Sequence, residues 1–285
     1  MASQPTTRRS ILLTGCSSGI GYAAAQRLQH RGYHVLASAR QAKDVERLRQ
    51  AGLTALQLDL TDSGSIERAV ETALAHTGGR LYGLFNNGAY GQGGAVEDLS
   101  RAVLREQLET NLLGWHELTC RVLPSMRAQG EGRIVQNSSV LGLVALPFRG
   151  AYNCSKFALE GLSDTLRLEL ADTNIHVSLI EPGPIATRFR ENAHARFLAT
   201  IDRDNSPHRA RYQGAVSRLA TSRPTPGTLP AEAVVKKLIH ALESRRPRPR
   251  YYVTVPTYLL GTLRRLLPTR ALDRVLLGIS KQENQ

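Results

Sequence analysis

Eight residues near the start of the chain, Thr14-Gly15-Cys16-Ser17-Ser18-Gly19-Ile20-Gly21, most restrict what it can fold into. They follow a short apolar run, Ile11-Leu12-Leu13, that reads as a buried strand by its length and flanks. They lead into an alanine-rich stretch, Tyr22 to about Arg31, that reads as a helix. A strand, a glycine-rich turn and a helix N-terminus in that order make an anion site. Glycines let the backbone approach a pyrophosphate, and unshared N–H groups and the helix dipole face it. A turn that needs glycine only for positive φ is the plainer alternative; three glycines in this setting favour the anion site. Ser17 and Ser18 add hydroxyls to the same loop.

Strand-like and helix-like runs then alternate: Tyr33 to Ala39, Asp44 to Gln50, Thr54 to Leu58, Ile66 to His76, Leu81 to Phe85. This alternation predicts an α/β fold, a doubly wound parallel sheet of the Rossmann type in a single domain over 9–255, with ligand across the strands' C-terminal ends. Dinucleotide folds often carry an acidic residue at the end of the second strand to bind ribose hydroxyls. Here Ala39 and Arg40 stand there. An arginine beside the ribose pairs with a 2′-phosphate, which favours NADP(H) over NAD(H); a plain surface arginine is the alternative. Asp59-Leu60 ends the third strand. Asp59 can accept from an adenine amino group, while Thr61, Asp62 or Ser63 could equally open a helix as N-cap. The fourth strand runs into the turn-rich Asn86-Asn87-Gly88-Ala89-Tyr90-Gly91 on the same sheet edge.

Chemistry concentrates in Ser138 to Lys156. Tyr152 and Lys156 are four apart and share a helix face. A phenol titrates at about 10 and is a poor acid or base at neutral pH unless a cation stabilises its phenolate. Lys156 supplies the cation, and the Ser139 hydroxyl can hold a substrate oxygen beside the phenol. Together they suggest proton transfer to or from an alcohol or carbonyl. Taken alone, the spacing also fits a packed tyrosine with a solvated lysine. Asn111 falls in a helix from near Ser100 with Leu104, Leu108 and Leu112 in register; it is either a misfit there or the holder of a water between Lys156 and solvent. The apolar-to-small run Val140–Phe148 makes Leu141, Leu146 and Phe148 candidate substrate contacts with Ser139 and Tyr152.

At 285 residues there is ample length for one large domain. Three scattered cysteines, Cys16, Cys120 and Cys154, point to a reducing, cytoplasmic setting, with neither disulfide framework nor zinc site. The eight histidines form no metal-binding motif, so no metal is expected. No signal peptide or membrane span is read: Met1 to Ser10 is polar and the following apolar run is short. Charge is lopsided. Residues 188–285 carry 19 Lys+Arg against 7 Asp+Glu, and 1–187 carry 18 against 17. That basic third can serve phosphorylated ligands, an anionic membrane, nucleic acid or solubility alone; no nucleic-acid motif with stacking aromatics accompanies it, so no nucleic-acid partner is expected.

Past the strand Ile175–Ile180, Glu181-Pro182-Gly183-Pro184 fixes an irregular turn. From 187 to 230 no pattern is defined; a loop this long reads as a substrate lid, with Phe189, Phe197, Leu198 and Tyr212 as apolar contacts. A helix, Ala231–Glu243, and a short strand, Tyr251–Val255, follow. The last part, 256–285, is a basic amphipathic helical extension with Arg264, Arg265, Arg270 and Arg274, interrupted at Pro268. It can touch a bilayer as a peripheral contact, cap the pocket, pack on a partner or seal the body.

These motifs resemble the non-extended short-chain dehydrogenase/reductase family over roughly residues 9–245. The loop matches its T-G-x-x-x-G-x-G, and Asn111, Ser139, Tyr152 and Lys156 match its four active-site positions. Asp59 matches the adenine-contacting aspartate, and Pro182, Gly183, Ile185 and Thr187 match the turn beside the nicotinamide. The family's N-N-A-G departs here to Asn87-Gly88-Ala89, glycine and alanine exchanged. The stretch from Gly142 to Leu166 is similar to the branch of 17β-hydroxysteroid dehydrogenases, retinol dehydrogenases and a bacterial NADP-dependent aldehyde reductase. The resemblance implies that Lys156 lowers the pKa of Tyr152 and holds the nicotinamide ribose. It further implies that Ser139 orients the substrate oxygen and that Asn111 serves a water relay. The substrate is expected to be a small lipophilic carbonyl or alcohol. A homodimer is implied through the helices carrying Tyr152 and Asn111, with a monomer as alternative. A cofactor-binding regulator without turnover is the rival reading; such proteins usually lose the tyrosine or lysine.

Overall fold

The computed structural model describes residues 8–220 and 225–283. The polar start (1–7), residues 221–224 of the expected lid and 284–285 of the extension lie outside them. The sheet is built from β1 (Ser10–Leu13), β2 (His34–Ala39), β3 (Thr54–Gln57), β4 (Gly83–Asn86), β5 (Gly132–Asn137), β6 (Ile175–Glu181) and β7 (Arg250–Tyr252). The order is β3-β2-β1-β4-β5-β6-β7, and every pairing is parallel. This is the doubly wound fold read from the sequence, in one domain. Winding reverses between β1 and β4, which opens a crevice at their C-terminal ends.

Alternation along each strand feeds two apolar layers. Ile11 and Leu13 of β1, with Val35, Ala37 and Ala39 of β2, face the layer beneath α1 (Gly19–His30), α2 (Ala42–Gln50) and α9 (Glu232–Glu243). Leu12 and Leu36 point the other way, with α3 (Ser63–His76), α5 (Gly114–Gln129) and α6 (Gly150–Glu169). A central strand buried on both faces needs an unbroken apolar run, and Ile11-Leu12-Leu13 supplies it.

Several boundaries differ from the sequence reading. α1 begins at Gly19, inside the glycine turn, because that turn is itself the first helical turn. Asp62 is the N-cap of α3, its Oδ1 accepting from Gly64 N (2.9 Å) and Ser65 N (3.2 Å). Between α4 (Arg101–Leu108) and α5 lies one π turn, Glu109–Leu113, with Asn111 at its centre. The stretch from 187, left without a pattern by sequence, contains α7 (Phe189–Thr200) and α8 (Arg209–Ala220). α7 buries only Ala193 and Phe197 along its length, so no apolar stripe marks it. The last strand stops at Tyr252, and Val255 opens α10 (Val255–Leu266), with Pro256 in the first turn where its missing N–H is harmless. On α6, Ala151, Ser155 and Leu159 are buried, while Ala158 and Leu162 face outward.

The extension is α10 and α11 (Thr269–Glu283). Leu260, Leu272 and Leu276 pack with Leu141, Val144, Leu146 and Tyr152, so these helices form a wall over the segment that carries the candidate chemistry. Arg264, Arg265, Arg270 and Arg274 are exposed on the outside. No helix among the described residues is long and apolar enough to cross a membrane.

Candidate active site

The glycine turn is a tight cradle. Gly15 and Gly19 hold φ of +69° and +57°, a region that favours glycine. A Cβ on Gly21 would stand 2.2 Å from the Gly15 carbonyl oxygen, and one on Gly15 would stand 2.5 Å from Gly88 Cα. Ser18 is the N-cap of α1 but makes no side-chain cap bond, so side chains do not compete for the first N–H groups. Ile20 packs beneath the loop on the α1 layer. Thr14 joins this loop to the one after β4: its Oγ1 accepts from Asn87 N and Gly88 N, both at 2.8 Å. A Cβ at position 88 would stand 3.1 Å from Gly15 N, so the glycine there lets the two loops approach closely. Thr187 closes the groove from the far side; its methyl group would lie 3.0 Å from a Cβ on Gly19. These features fit a bound dinucleotide phosphate.

Arg40 follows the end of β2 and is exposed. Sequence reasoning missed Arg47, on α2, whose guanidinium donates to the Ser17 carbonyl and pairs with Asp44 at 3.0 Å. Asp59 fixes its own turn, with Oδ1 accepting from Thr61 N (3.0 Å) and Thr61 Oγ1 (2.8 Å). The Leu60 carbonyl presses on Gly114, where a Cβ would stand only 2.0 Å away. At the turn after β6, the Pro182 carbonyl accepts from Val140 N at 2.8 Å, and a Cβ on Gly183 would meet Thr254 Oγ1 at 2.2 Å. Ile185 bridges to Leu229.

Ser139, Tyr152 and Lys156 come together at the ends of β5 and β6. Ser139 hydrogen-bonds the Tyr152 phenol, and its Oγ also accepts from Leu141 N at 3.1 Å. Burial pushes the phenol up to about 12, with the Ser139 bond opposing. Lys156, 1% exposed, donates to the Asn137 carbonyl at 2.8 Å. Burial pulls its amine down to about 7, opposed by the Glu160 carboxylate. Asn111 is not a helix misfit. The π turn aims it inward, where Oδ1 accepts from Tyr90 N (3.2 Å) and Nδ2 donates to the Tyr90 carbonyl (2.9 Å). A second residue missed by sequence is Trp115, fully buried, with its ring centroid 4.2 Å from Lys156 Nζ and its Nε1 donating to the Gly88 carbonyl at 2.9 Å. Its position four residues after Asn111 on a continuous helix was the available signal.

Beneath this group lies a cluster of charge. Ser138 Oγ donates to Glu160 Oε1 at 2.5 Å. Arg250 meets Glu160 at 2.9 Å, forms a fork with Asp164 (3.0 and 2.7 Å) and lies 3.2 Å from Glu181 Oε1. Glu181 is fully buried. Burial, with repulsion from Glu160, raises its carboxyl to about 9 against the pull of Arg250.

The proposed substrate residues divide. Leu141 and Leu146 adjoin Tyr152 under α10 and α11. Phe148 instead turns away, with φ +59°, and its ring meets His208 and Tyr212. Phe189 stacks edge-on against Tyr152 (5.4 Å), whereas Phe197 and Tyr212 form their own cluster and Leu198 is exposed.

Strand order and cradle define a Rossmann-type, nucleotide-binding fold. Residues 9–196 match the family model described as short chain dehydrogenase, and the chain belongs to the short-chain dehydrogenase/reductase family of oxidoreductases. It is 45% identical over 271 residues to the uncharacterized oxidoreductase YbbO of Escherichia coli K12, covering 95% of each chain. It is 34% identical to human retinol dehydrogenase 8 over 279 residues, 93% of this chain and 86% of that one. The crystal structure of a Streptomyces avermitilis short-chain dehydrogenase aligns with TM-score 0.77 at 28% identity, covering 98% of this chain and 97% of that one.

Proposed function

We propose that the protein is an NADP(H)-dependent oxidoreductase that interconverts a lipophilic aldehyde or ketone, aldehyde-, retinoid- or steroid-like, and its alcohol. The observation that carries this reading is the Ser139–Tyr152 hydrogen bond beside the buried Lys156, on the sheet edge that holds the glycine cradle. Tyr152 protonates the developing alkoxide in reduction and takes the alcohol proton in oxidation. Ser139 orients the substrate oxygen, and the Lys156 ammonium stabilises the phenolate. The loop Gly15–Gly21, Asp59 and Leu60, the Asn87–Ala89 turn and Pro182 to Thr187 would hold a nicotinamide cofactor, which would supply or accept the hydride. Asn111 braces the Tyr90 turn within this arrangement.

Arg40, with Arg47 close to the Ser17 carbonyl, supports a preference for the 2′-phosphorylated cofactor. Arg40→Leu is expected to reduce the NADPH-over-NADH preference by about tenfold, the equivalent of one charge-assisted contact. Cofactor oxidation over a panel of aldehydes, retinoids and steroids with each nucleotide checks this; an NADH preference in the wild type would overturn it. A lipophilic substrate agrees with the Leu141, Leu146 and Leu260 wall, and with a relative named for retinol, a lipophilic alcohol.

Helices α7 and α8 serve as the lid, with Phe189 on Tyr152. The outward face of α6, with Phe157 and Leu162 exposed, is the surface for a homodimer, for which sedimentation should give twice the chain mass. The basic outer face of α10 and α11, with Leu259 and Leu266 exposed among the arginines, is a peripheral contact for anionic bilayers. Salt-sensitive co-sedimentation with phosphatidylserine vesicles, absent with neutral ones, is the expected result. The free cysteines agree with a cytoplasmic setting.

A further inference from the structure

Trp115 is the one tryptophan of the chain and is fully buried on α5. The Lys156 amine faces it across 4.2 Å, well within the range of a cation–π contact. Few other groups face that amine. From β5 comes the Asn137 carbonyl at 2.8 Å; from α6 come the Tyr152 ring, 5.7 Å away, and the Glu160 carboxylate one turn on. Glu160 is already engaged by Ser138 and Arg250. Among the described residues the Lys156 cation therefore has no carboxylate of its own, while burial favours its neutral form. An indole face is worth most where the cation is stripped of water. The indole is also anchored, because Nε1–H donates to the Gly88 carbonyl, a residue whose neighbours are the glycine cradle.

We infer that Trp115 is a positioning residue whose ring keeps Lys156 charged beside Tyr152, while its N–H fixes that ring to the loop after β4. This rests on the acid–base reading of Tyr152 and Lys156 for its effect on turnover, but the contact itself does not depend on it. In this arrangement the lysine's protonation is set from α5 as well as from α6, and a shift of the Gly88 loop moves the ring that holds the charge.

Because the chain has a single indole, its intrinsic fluorescence reports this contact without turnover. A titration of the wild type from about pH 5.5 to 9.5 is expected to show an emission change as the amine loses its proton, and Lys156→Met should abolish it. An unchanged transition in Lys156→Met, or none in the wild type, overturns the inference whatever the activity. The second arm compares Trp115→Leu with Trp115→Phe by the alkaline limb of kcat for carbonyl reduction. Leucine should move that limb down by about one pH unit. Phenylalanine, which keeps a ring but loses the N–H, should restore more than half of the shift. Equal shifts in both variants would assign the effect to the Gly88 bond and remove the ring's role. If the fluorescence transition behaves as expected while Tyr152→Phe stays fully active, the acid–base reading falls and the contact stands.

Discussion

Tyr152→Phe is expected to lower kcat by about 10²–10⁴-fold, the range for loss of a positioned general acid or base. The structure says why the loss should be chemical. The ring is 9% exposed and packs among Leu141, Leu146, Leu260, Leu272 and Leu276, with Phe189 edge-on. Phenylalanine keeps all of that surface. The partner released is the Ser139 hydroxyl, which retains its bond from Leu141 N. Thermal stability and NADPH binding, read by quenching of Trp115 emission, should therefore remain near wild type while kcat collapses. A loss carried by KM with kcat intact would mean that Tyr152 binds substrate without moving a proton. Full activity would remove it from the reaction altogether.

Arg250→Met is expected to destabilise the fold by about 3–5 kcal/mol at mildly alkaline pH, the usual result of removing one partner from a buried charge group. Three carboxyls, Glu160, Asp164 and Glu181, converge on this guanidinium. The pH dependence has a definite sign. The Arg250 bond, first among the causes, holds Asp164 below its usual range, so its contribution is present above that range and fades in acid. Burial raises Glu181 to about 9, so the folded chain keeps a proton that the unfolded chain releases above about 4.5. That contribution is full in acid and is lost as pH rises through 9. Without Arg250 the carboxyls must go protonated or unpaired. The deficit should be smallest near pH 5 and grow toward pH 9. Denaturant unfolding of both proteins across that interval measures it; a deficit below about 1 kcal/mol, or one independent of pH, would show that the cluster is screened like a surface pair.

The parts of the fold legible in the sequence were those with local causes. Three glycines between an apolar strand and a helix fix a cradle by backbone sterics, and a spacing of four from Tyr152 to Lys156 fixes a shared face. α7 and α8 were invisible because their contacts are with distant segments: Tyr212, for example, bonds Asp98 and the Ala95 N–H. The bonds from Asn111 to Tyr90 were not legible, because a π turn depends on packing around Tyr90 and has no composition of its own. Phe148 was placed with Leu141 and Leu146 by adjacency, yet a single left-handed residue sends its ring to the other side. Arg250 closes a basic run, Arg245-Arg246-Pro247-Arg248-Pro249-Arg250, that itself names no acidic partner; only the sheet brings Glu160 and Glu181 to it.

The wall over Tyr152 has a consequence for the order of biosynthesis. Leu260, Leu272 and Leu276 leave the ribosome more than a hundred residues after the tyrosine they enclose, and Arg250 likewise follows Glu160, Asp164 and Glu181. The glycine cradle and β1 to β6 are all translated before any of them. Until they emerge, Glu160 and Glu181 wait without their cation and Tyr152 lacks that wall. A domain generally folds as a unit, and here the surroundings of Tyr152 are complete only once the last helices have been made.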